Sequence, residues 1–439
     1  MAQNYLEKII YFVLFFIPFS FALNLQADVD ISFLRVVISF SFAFFVFYIL
    51  YKNIPIPFDK FKNGQTLFFL AFFLFTLISS FWSLNSVWSI RKFIFFATIF
   101  PIYFLIIFLI NSKEKLDKAA KFFILGGFFA SLIGVVQFLS QFFFSLDSIY
   151  NFWAYKVAMF LYGQNFGSVV IQNQSWFVSI GRHDYLRAIS LFPDPHTFAL
   201  YLGIIIPFTV GYFFYKNKKD KSSYLFKIFI MLLALLFTFS RGAYVGFLSS
   251  FAVMFVLYFW YFNVGFNKKF LTALFVAALA LFFVFSNSVF GERLISSFSL
   301  ADISNSGRIQ IWKTSFDVFL DSPVFGAGLG SLPVFFDPTA SVKSPINAHN
   351  TYLDILSELG AIGFLFFAGI FAYSFKFLKF QKDKFNFLRL GIIWSLAWFL
   401  VHSFFETSIF SVPVLISLCF VLALAVILKD ETSGQALKK

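Results

Sequence analysis

The sequence is short of charge. Charged residues make up 13% of the 439, about half the soluble norm of roughly 25%, whereas 60% are hydrophobic and 24% aromatic. That balance excludes a soluble domain and leaves a polytopic membrane protein. Cysteine is nearly absent: Cys419, the one copy, lies in the last apolar run, which excludes an intrachain disulfide and a cysteine zinc site. Histidine is scarce, with His183, His196, His349 and His402, and no His-rich ligand set occurs. The carboxylate pair Asp28-Val29-Asp30 has metal-like spacing but reads as two solvated loop acids. Neither a metal nor a cofactor is expected. Arginine is also rare, 8 against 26 Lys. With 78 Phe, this matches the codon bias of an AT-rich genome, so a Phe stripe marks lipid-facing surface. The net charge of +13 is spread as an orientation signal, and no nucleic-acid partner is expected.

What is present is a series of runs near the length of about 20 residues that spans a bilayer. Twelve are expected: Leu6–Leu25, Ile31–Tyr51, Thr66–Phe81, Phe93–Ile110, Ala120–Phe144, Thr197–Tyr215, Tyr224–Phe239, Ala243–Phe262, Phe270–Phe290, Ala361–Phe380, Leu388–Phe405 and Ile409–Leu428. The first follows a lone Lys8, contains Pro18 and lacks a small-x-small cleavage site, so it reads as a retained span. With the N-terminus in the cytoplasm, 23 of the 34 basic residues fall inside, as the positive-inside rule requires. Both termini are then cytoplasmic. The fold class is all-α, and the chain divides into helices 1–5 (1–144), an external loop (145–196), helices 6–9 (197–290), an external catalytic loop (291–360), and helices 10–12 with a cytoplasmic tail (361–439).

The outer face collects the unusual residues. Seven of the eight arginines fall there: Arg35, Arg91, Arg182, Arg187, Arg241, Arg293 and Arg308. Ion pairing with Asp184, Glu292 or Asp302 is the plain explanation. A planar, permanently charged fork also suits phosphate. All four histidines lie at or beyond the outer ends of spans. The longest polar interruption, Gly291 to Gly363, holds seven of the 21 acids, Arg308, His349 and a glycine run. Ser306-Gly307-Arg308 is expected to open an amphipathic helix, with Ile309, Trp312, Phe316 and Phe319/Leu320 at helical spacing and Asp321-Ser322-Pro323 as its stop. That places Arg308 at a helix N-terminus, where backbone N–H groups favour an anion. Gly326-Ala327-Gly328-Leu329-Gly330 follows no strand and opens no helix, so it reads as a flexible or tightly turned loop rather than a phosphate cradle. His349 starts another helix and has the right pKa range to accept a hydroxyl proton; a histidine hydrogen-bonded at a helix start explains it equally well. Glu406 and His402 either line a cavity or anchor the interface.

Taken in order, Arg187 with Phe192-Pro193-Asp194-Pro195, Ser240-Arg241-Gly242-Ala243, Gly307-Arg308-x₃-Trp312, Pro323-x-x-Gly326-x-Gly328, and Ala348-His349-Asn350-x-Tyr352-Leu353-x₄-Glu358-x-Gly360-x-x-Gly363 resemble the O-antigen ligase and polymerase superfamily. The motifs cover roughly 187–375. The resemblance implies a GT-C-like membrane glycosyltransferase of the bacterial inner membrane, with its active site facing the periplasm or exterior. It would take a glycan from undecaprenyl pyrophosphate to a glycan, lipid A core or protein acceptor, without metal. It implies Arg241 and Arg308 as a pyrophosphate clamp, His349 as general base, and Arg187, Trp312, Asn350 and Tyr352 as substrate-binding residues. The aspartate-histidine pair Asp194/Pro195-His196 departs from the commoner asparagine pair. Ligase, polymerase and protein oligosaccharyltransferase share these motifs; the ligase type is favoured by the single compact outer loop. The rival class, a twelve-span transporter of polysaccharide or lipid-linked sugar, should show repeated halves and charged or broken helices at mid-membrane. Neither is evident.

Overall fold

A computed structural model describes residues 2–26, 29–55, 58–180, 183–216, 220–262, 303–337, 347–379 and 385–430. The expected ninth span, Phe270–Phe290, lies outside them, as do Asp28, Arg182, Glu292, Arg293 and Asp302. Each of the other expected spans overlaps a helix. Among the described residues, seven helices are long and apolar enough to cross a membrane: Phe33–Lys52, Gly64–Trp82, Ser86–Leu109, Lys113–Ser140, Pro195–Tyr215, Thr351–Phe377 and Val412–Lys429. Shorter apolar helices stand at Arg241–Val256 and Asn386–His402. The protein is an all-α, multi-pass integral membrane protein.

Local chemistry sets the helix starts. Asn63, Asn85, Ser112, Asp194 and Asn350 each accept a backbone N–H from the first turn of the helix that follows, satisfying donors that have no partner within a helix. Prolines set the breaks. The first span ends early, at Phe16, because Pro18 sits in a single tight turn, Ile17–Phe19. The chain then enters a hairpin of β1 (Ala22–Gln26) and antiparallel β2 (Val29–Ser32). The fourth expected span is two helices, Ser86–Ile99 and Pro101–Leu109, joined at Pro101. Lys221–Phe237 packs on Lys113–Ser140 while Arg241–Phe262 packs on Asn386–His402, so the turn at Thr238–Ser240 separates two elements.

Val412–Asp430 is buried almost throughout. Pro195–Tyr215 and Asn386–His402 form the closest helix pair, with backbone meeting backbone at Gly211 and Gly391, the small-residue contact typical of membrane helices. Residues 145–196, expected as an external loop, fold into short helices and a hairpin, β3 (Phe177–Ile180) against β4 (His183–Leu186). They build a satellite core around Trp176.

Ion pairs sort by end. Lys115–Glu7 at 2.6 Å and Lys216–Asp117 at 2.7 Å join residues that the charge pattern puts on one side. Arg308–Glu406 at 2.8 Å and Lys92–Glu358 at 2.7 Å join residues that it puts on the other. The second pair anchors the platform to the Ser86–Ile99 helix. The platform itself is knitted by backbone. The amides of Ala327 and Gly328 donate to the carbonyls of Ser357 and Glu358, and Ala361 donates to Pro323. The glycine run is therefore a tight, packed turn, with φ of +70°, +94° and +79° at Gly326, Gly328 and Gly330.

Two glycines touch back to back here. Gly360 breaks the Thr351–Phe377 helix at φ 63°, ψ −167°, a region open essentially to glycine alone. A Cβ on it would lie 2.4 Å from the Val324 carbonyl oxygen. Gly360→Ala should cost about 2–4 kcal/mol from backbone strain and overpacking, read as a lowered unfolding temperature in detergent. A wild-type melting curve would show that the platform yields.

Candidate active site

The platform's helix Ile303–Asp321 starts earlier than its sequence suggests, so Arg308 sits in the second turn rather than at the N-terminus. The anion-at-the-helix-end argument does not apply to it. The helix turns Ser315 and Val318 inward and leaves Ile309, Phe316 and Leu320 exposed. Its Trp312 indole donates to the Ala348 carbonyl at 2.9 Å. That bond fixes the residue before His349.

His349 occupies the left-handed region, φ 49°, which histidine tolerates better than most side chains but still at a cost. The position is over-determined. Asn350 caps the next helix through the amides of Tyr352 and Leu353. Asp354 accepts the Ala348 amide at 2.9 Å with one carboxylate oxygen and the Thr407 hydroxyl at 2.5 Å with the other. The Thr351 hydroxyl donates to the Glu406 carbonyl at 2.9 Å, and the Thr351 amide donates to the Ser403 carbonyl at 2.8 Å. Asp354 and Thr351 thereby bind the turn carrying Glu406 to the turn carrying His349, 57 residues earlier.

Glu406 is where the site converges. Its carboxylate lies 2.8 Å from the Arg308 guanidinium, 3.2 Å from His349 Nδ1 and 3.3 Å from His196 Nδ1. Burial would raise the Glu406 carboxyl, but His196, His349 and Arg308 outweigh it and hold it well below the usual carboxylate range. The hydrogen bond to Glu406 raises His349 above the ordinary histidine value, against the opposing effect of burial. A carboxylate on Nδ1 assigns the proton there and leaves Nε2 to accept another. Burial also pushes the Asp194 carboxyl up; its oxygens take the His196 amide and the Thr197 amide and hydroxyl.

These groups line one cavity of about 870 Å³, with His196, Arg308, His349 and Glu406 on its wall and Arg35 and Arg91 among its other residues. Arg308 spends one nitrogen on Glu406, and no other partner occurs among the described residues. Its remaining donors are available to an anion.

The other motif residues are placed differently. Arg241 begins the Arg241–Phe262 helix and does not line the cavity; its neighbour Ser240 has its hydroxyl 3.3 Å from His196 Nδ1. Arg187 is buried, donating to the carbonyls of Thr238 at 2.6 Å and Ser175 at 3.0 Å. Tyr352 donates to the Leu400 carbonyl at 2.6 Å. Arg187, Trp312, Asn350 and Tyr352 lie off the cavity wall and hold backbone. Of the pair expected either to line a cavity or to anchor the interface, Glu406 lines the cavity, whereas His402 is buried and off its wall. One signal pointed to Glu406: it is the single acid between Lys384 and Lys429.

Residues 226–368 match a family model described as O-Antigen ligase, a stretch that contains Arg241, Arg308 and His349. A curated relative, the teichuronic acid biosynthesis protein TuaE of Bacillus subtilis (strain 168), is 23% identical over 367 residues, covering 79% of this chain and 68% of that protein. The chain is thus similar to the O-antigen ligase family over residues 226–368 and to this relative over most of its length, which supports the resemblance read from motif order.

Proposed function

We propose that the protein transfers a glycan from a polyprenyl pyrophosphate to an acceptor hydroxyl at the outer face of the cytoplasmic membrane, with both termini inside. The observation that carries the reading is the meeting of His349 and Arg308 on one carboxylate at the wall of a cavity large enough for a glycan. His349 Nε2 takes the acceptor proton as its oxygen attacks the anomeric carbon. The bond from that carbon to the pyrophosphate oxygen breaks with inversion, and the pyrophosphate leaves with both bonding electrons. Arg308 faces the leaving charge; Arg241, the second arginine of the proposed clamp, lies off the cavity wall and is joined to it through its neighbour Ser240, whose hydroxyl meets His196. Glu406 keeps His349 oriented and basic. No step uses a metal or a nucleotide.

Ligase, polymerase and protein-glycosylating readings share this chemistry and differ in acceptor. The ligase type rests on the compact outer loop. The likeness to a teichuronic acid biosynthesis protein favours keeping a polymer-building acceptor as the second reading.

The first test is transfer by the purified protein in detergent, with a lipid-pyrophosphate-linked donor and EDTA. His349→Ala should lose about 10²–10⁴-fold in rate, the usual share of general base catalysis. Arg308→Lys and Arg241→Lys should each lose about tenfold or more, because a point charge replaces a fork. Wild-type rates in all three would place the chemistry elsewhere, and no transfer with any acceptor would favour the transporter.

The pH profile tests Glu406 separately. His349 is inactive as a base while protonated, so the rate should rise with pH through its raised pKa, with a midpoint above the ordinary histidine value of about 6.5. Glu406→Gln removes the group that raises it and should move that midpoint down. An unmoved midpoint would detach Glu406 from the base.

A further inference from the structure

The cavity carries a second group of cations that the proposed transfer leaves unused. Arg35 is the third residue of the Phe33–Lys52 helix. Its Nε donates to the Thr98 hydroxyl at 2.8 Å, and its guanidinium lies 5.2 Å from the centre of the Phe95 ring. Arg91 is exposed one helical turn before Phe95, on the same side of the Ser86–Ile99 helix. Arg35, Arg91 and Phe95 all line the cavity.

Neither guanidinium has a carboxylate within ion-pair distance among the described residues, and no hydrogen bond joins either to the Glu406 group. The contrast with the adjacent residue is direct. Lys92 is neutralised by Glu358 at 2.7 Å and packs over the Phe410 ring at 4.4 Å. Asp30 also lines the cavity: one carboxylate oxygen takes the Phe166 amide at 3.1 Å and the other is buried without a hydrogen-bond partner among the described residues, with neither arginine within ion-pair distance. Cations near a membrane helix end are costly unless paired, solvated or bound to an anion. Here two forks share a cavity with a proposed pyrophosphate site on other elements, in a volume that exceeds what a pyrophosphate needs.

We propose that Arg35 and Arg91 form a second anion subsite, on the acceptor side of the cavity, for a carboxylate or phosphate separate from the donor pyrophosphate. Both ligands present the planar or tetrahedral oxygen pair that a guanidinium grips with two hydrogen bonds. Two sources supply that chemistry: a carboxylated sugar of the acceptor glycan, or the pyrophosphate of a second lipid-linked chain. The inference rests on the transfer reading of this cavity, and its test is binding without turnover, so that failed transfer and failed binding are told apart.

The experiment measures equilibrium binding to wild type, Arg35→Gln, Arg91→Gln and Arg308→Gln in detergent, each checked for a wild-type gel-filtration profile. The probes are undecaprenyl pyrophosphate, a glucuronate-containing oligosaccharide and its carboxyl-reduced form. If the subsite takes lipid pyrophosphate, wild type binds two equivalents, and Arg91→Gln loses the second. If it takes a sugar carboxylate, wild type prefers the acidic oligosaccharide by about tenfold, the scale of a charge-assisted pair, and Arg91→Gln abolishes the preference. Arg91 is exposed, so its variant keeps the test open should Arg35→Gln fail to fold. A single lipid equivalent in wild type, with no acidic preference that depends on Arg35 or Arg91, overturns the proposal.

Discussion

One buried carboxylate decides the geometry of this site. Glu406 touches Arg308, His349 and His196, which come from three separate stretches of chain. Without it, Arg308 and His349 would lose their shared counter-charge in a partly desolvated cavity, where charges interact more strongly than in water, and His196 would lose a partner for Nδ1. With it, each has a fixed distance to a common centre. The carboxylate is itself held by backbone, through Thr351 on its own carbonyl and Asp354 on the adjacent Thr407. Removing one partner from such a group costs far more than the pair is worth, because the rest stay buried and unpaired.

The bilayer explains why so much depends on so few charges. Spans must satisfy their backbone internally and carry almost no ionised groups, so polar chemistry is confined to helix ends and the segments joining them. In this chain Pro195–Tyr215 and Asn386–His402 approach through Gly211 and Gly391, away from the cavity, and are packed there by hydrocarbon. At the other end of Pro195–Tyr215, His196, Thr197 and Leu200 line the cavity. The glycine turn under the platform serves the same purpose: backbone against backbone leaves no space for a side chain to shift, so the His349 turn rests on something stiff.

Much of this was legible in residue order. Run length gave the helices, and isolated arginines and histidines on one face gave Arg308 and His349. The glycine run was correctly read as a turn. What was not legible is pairing at a distance. Nothing in the local sequence around Glu406 says that it meets a histidine 57 positions earlier, since the contact exists only once Thr351 and Asp354 have joined the two turns. Helix starts were misjudged for a related reason. Ile303 to Ser306 carries serine and asparagine that read as a cap, yet the helix runs through them from Ile303. Trp312, Asn350 and Tyr352 sit in the most distinctive motifs and use their polar atoms on backbone. A distinctive residue can be distinctive because it holds the turn that carries His349.

Lys92 and Arg91 make that distinction in two adjacent positions. Both are cations on one helix at one end of the membrane domain, and composition treats them alike. Lys92 is spent on Glu358 and an aromatic face, so its charge is structural and already balanced. Arg91 faces the cavity with no such partner among the described residues. Net charge and motif lists cannot separate the two, because the difference lies in which carboxylate is within reach. In a membrane protein, where each charge is placed at a cost, a fork left open toward a cavity is better evidence of a ligand than any count of basic residues. The same criterion picks out Arg308, whose unspent donors face the cavity that its bound carboxylate helps to shape.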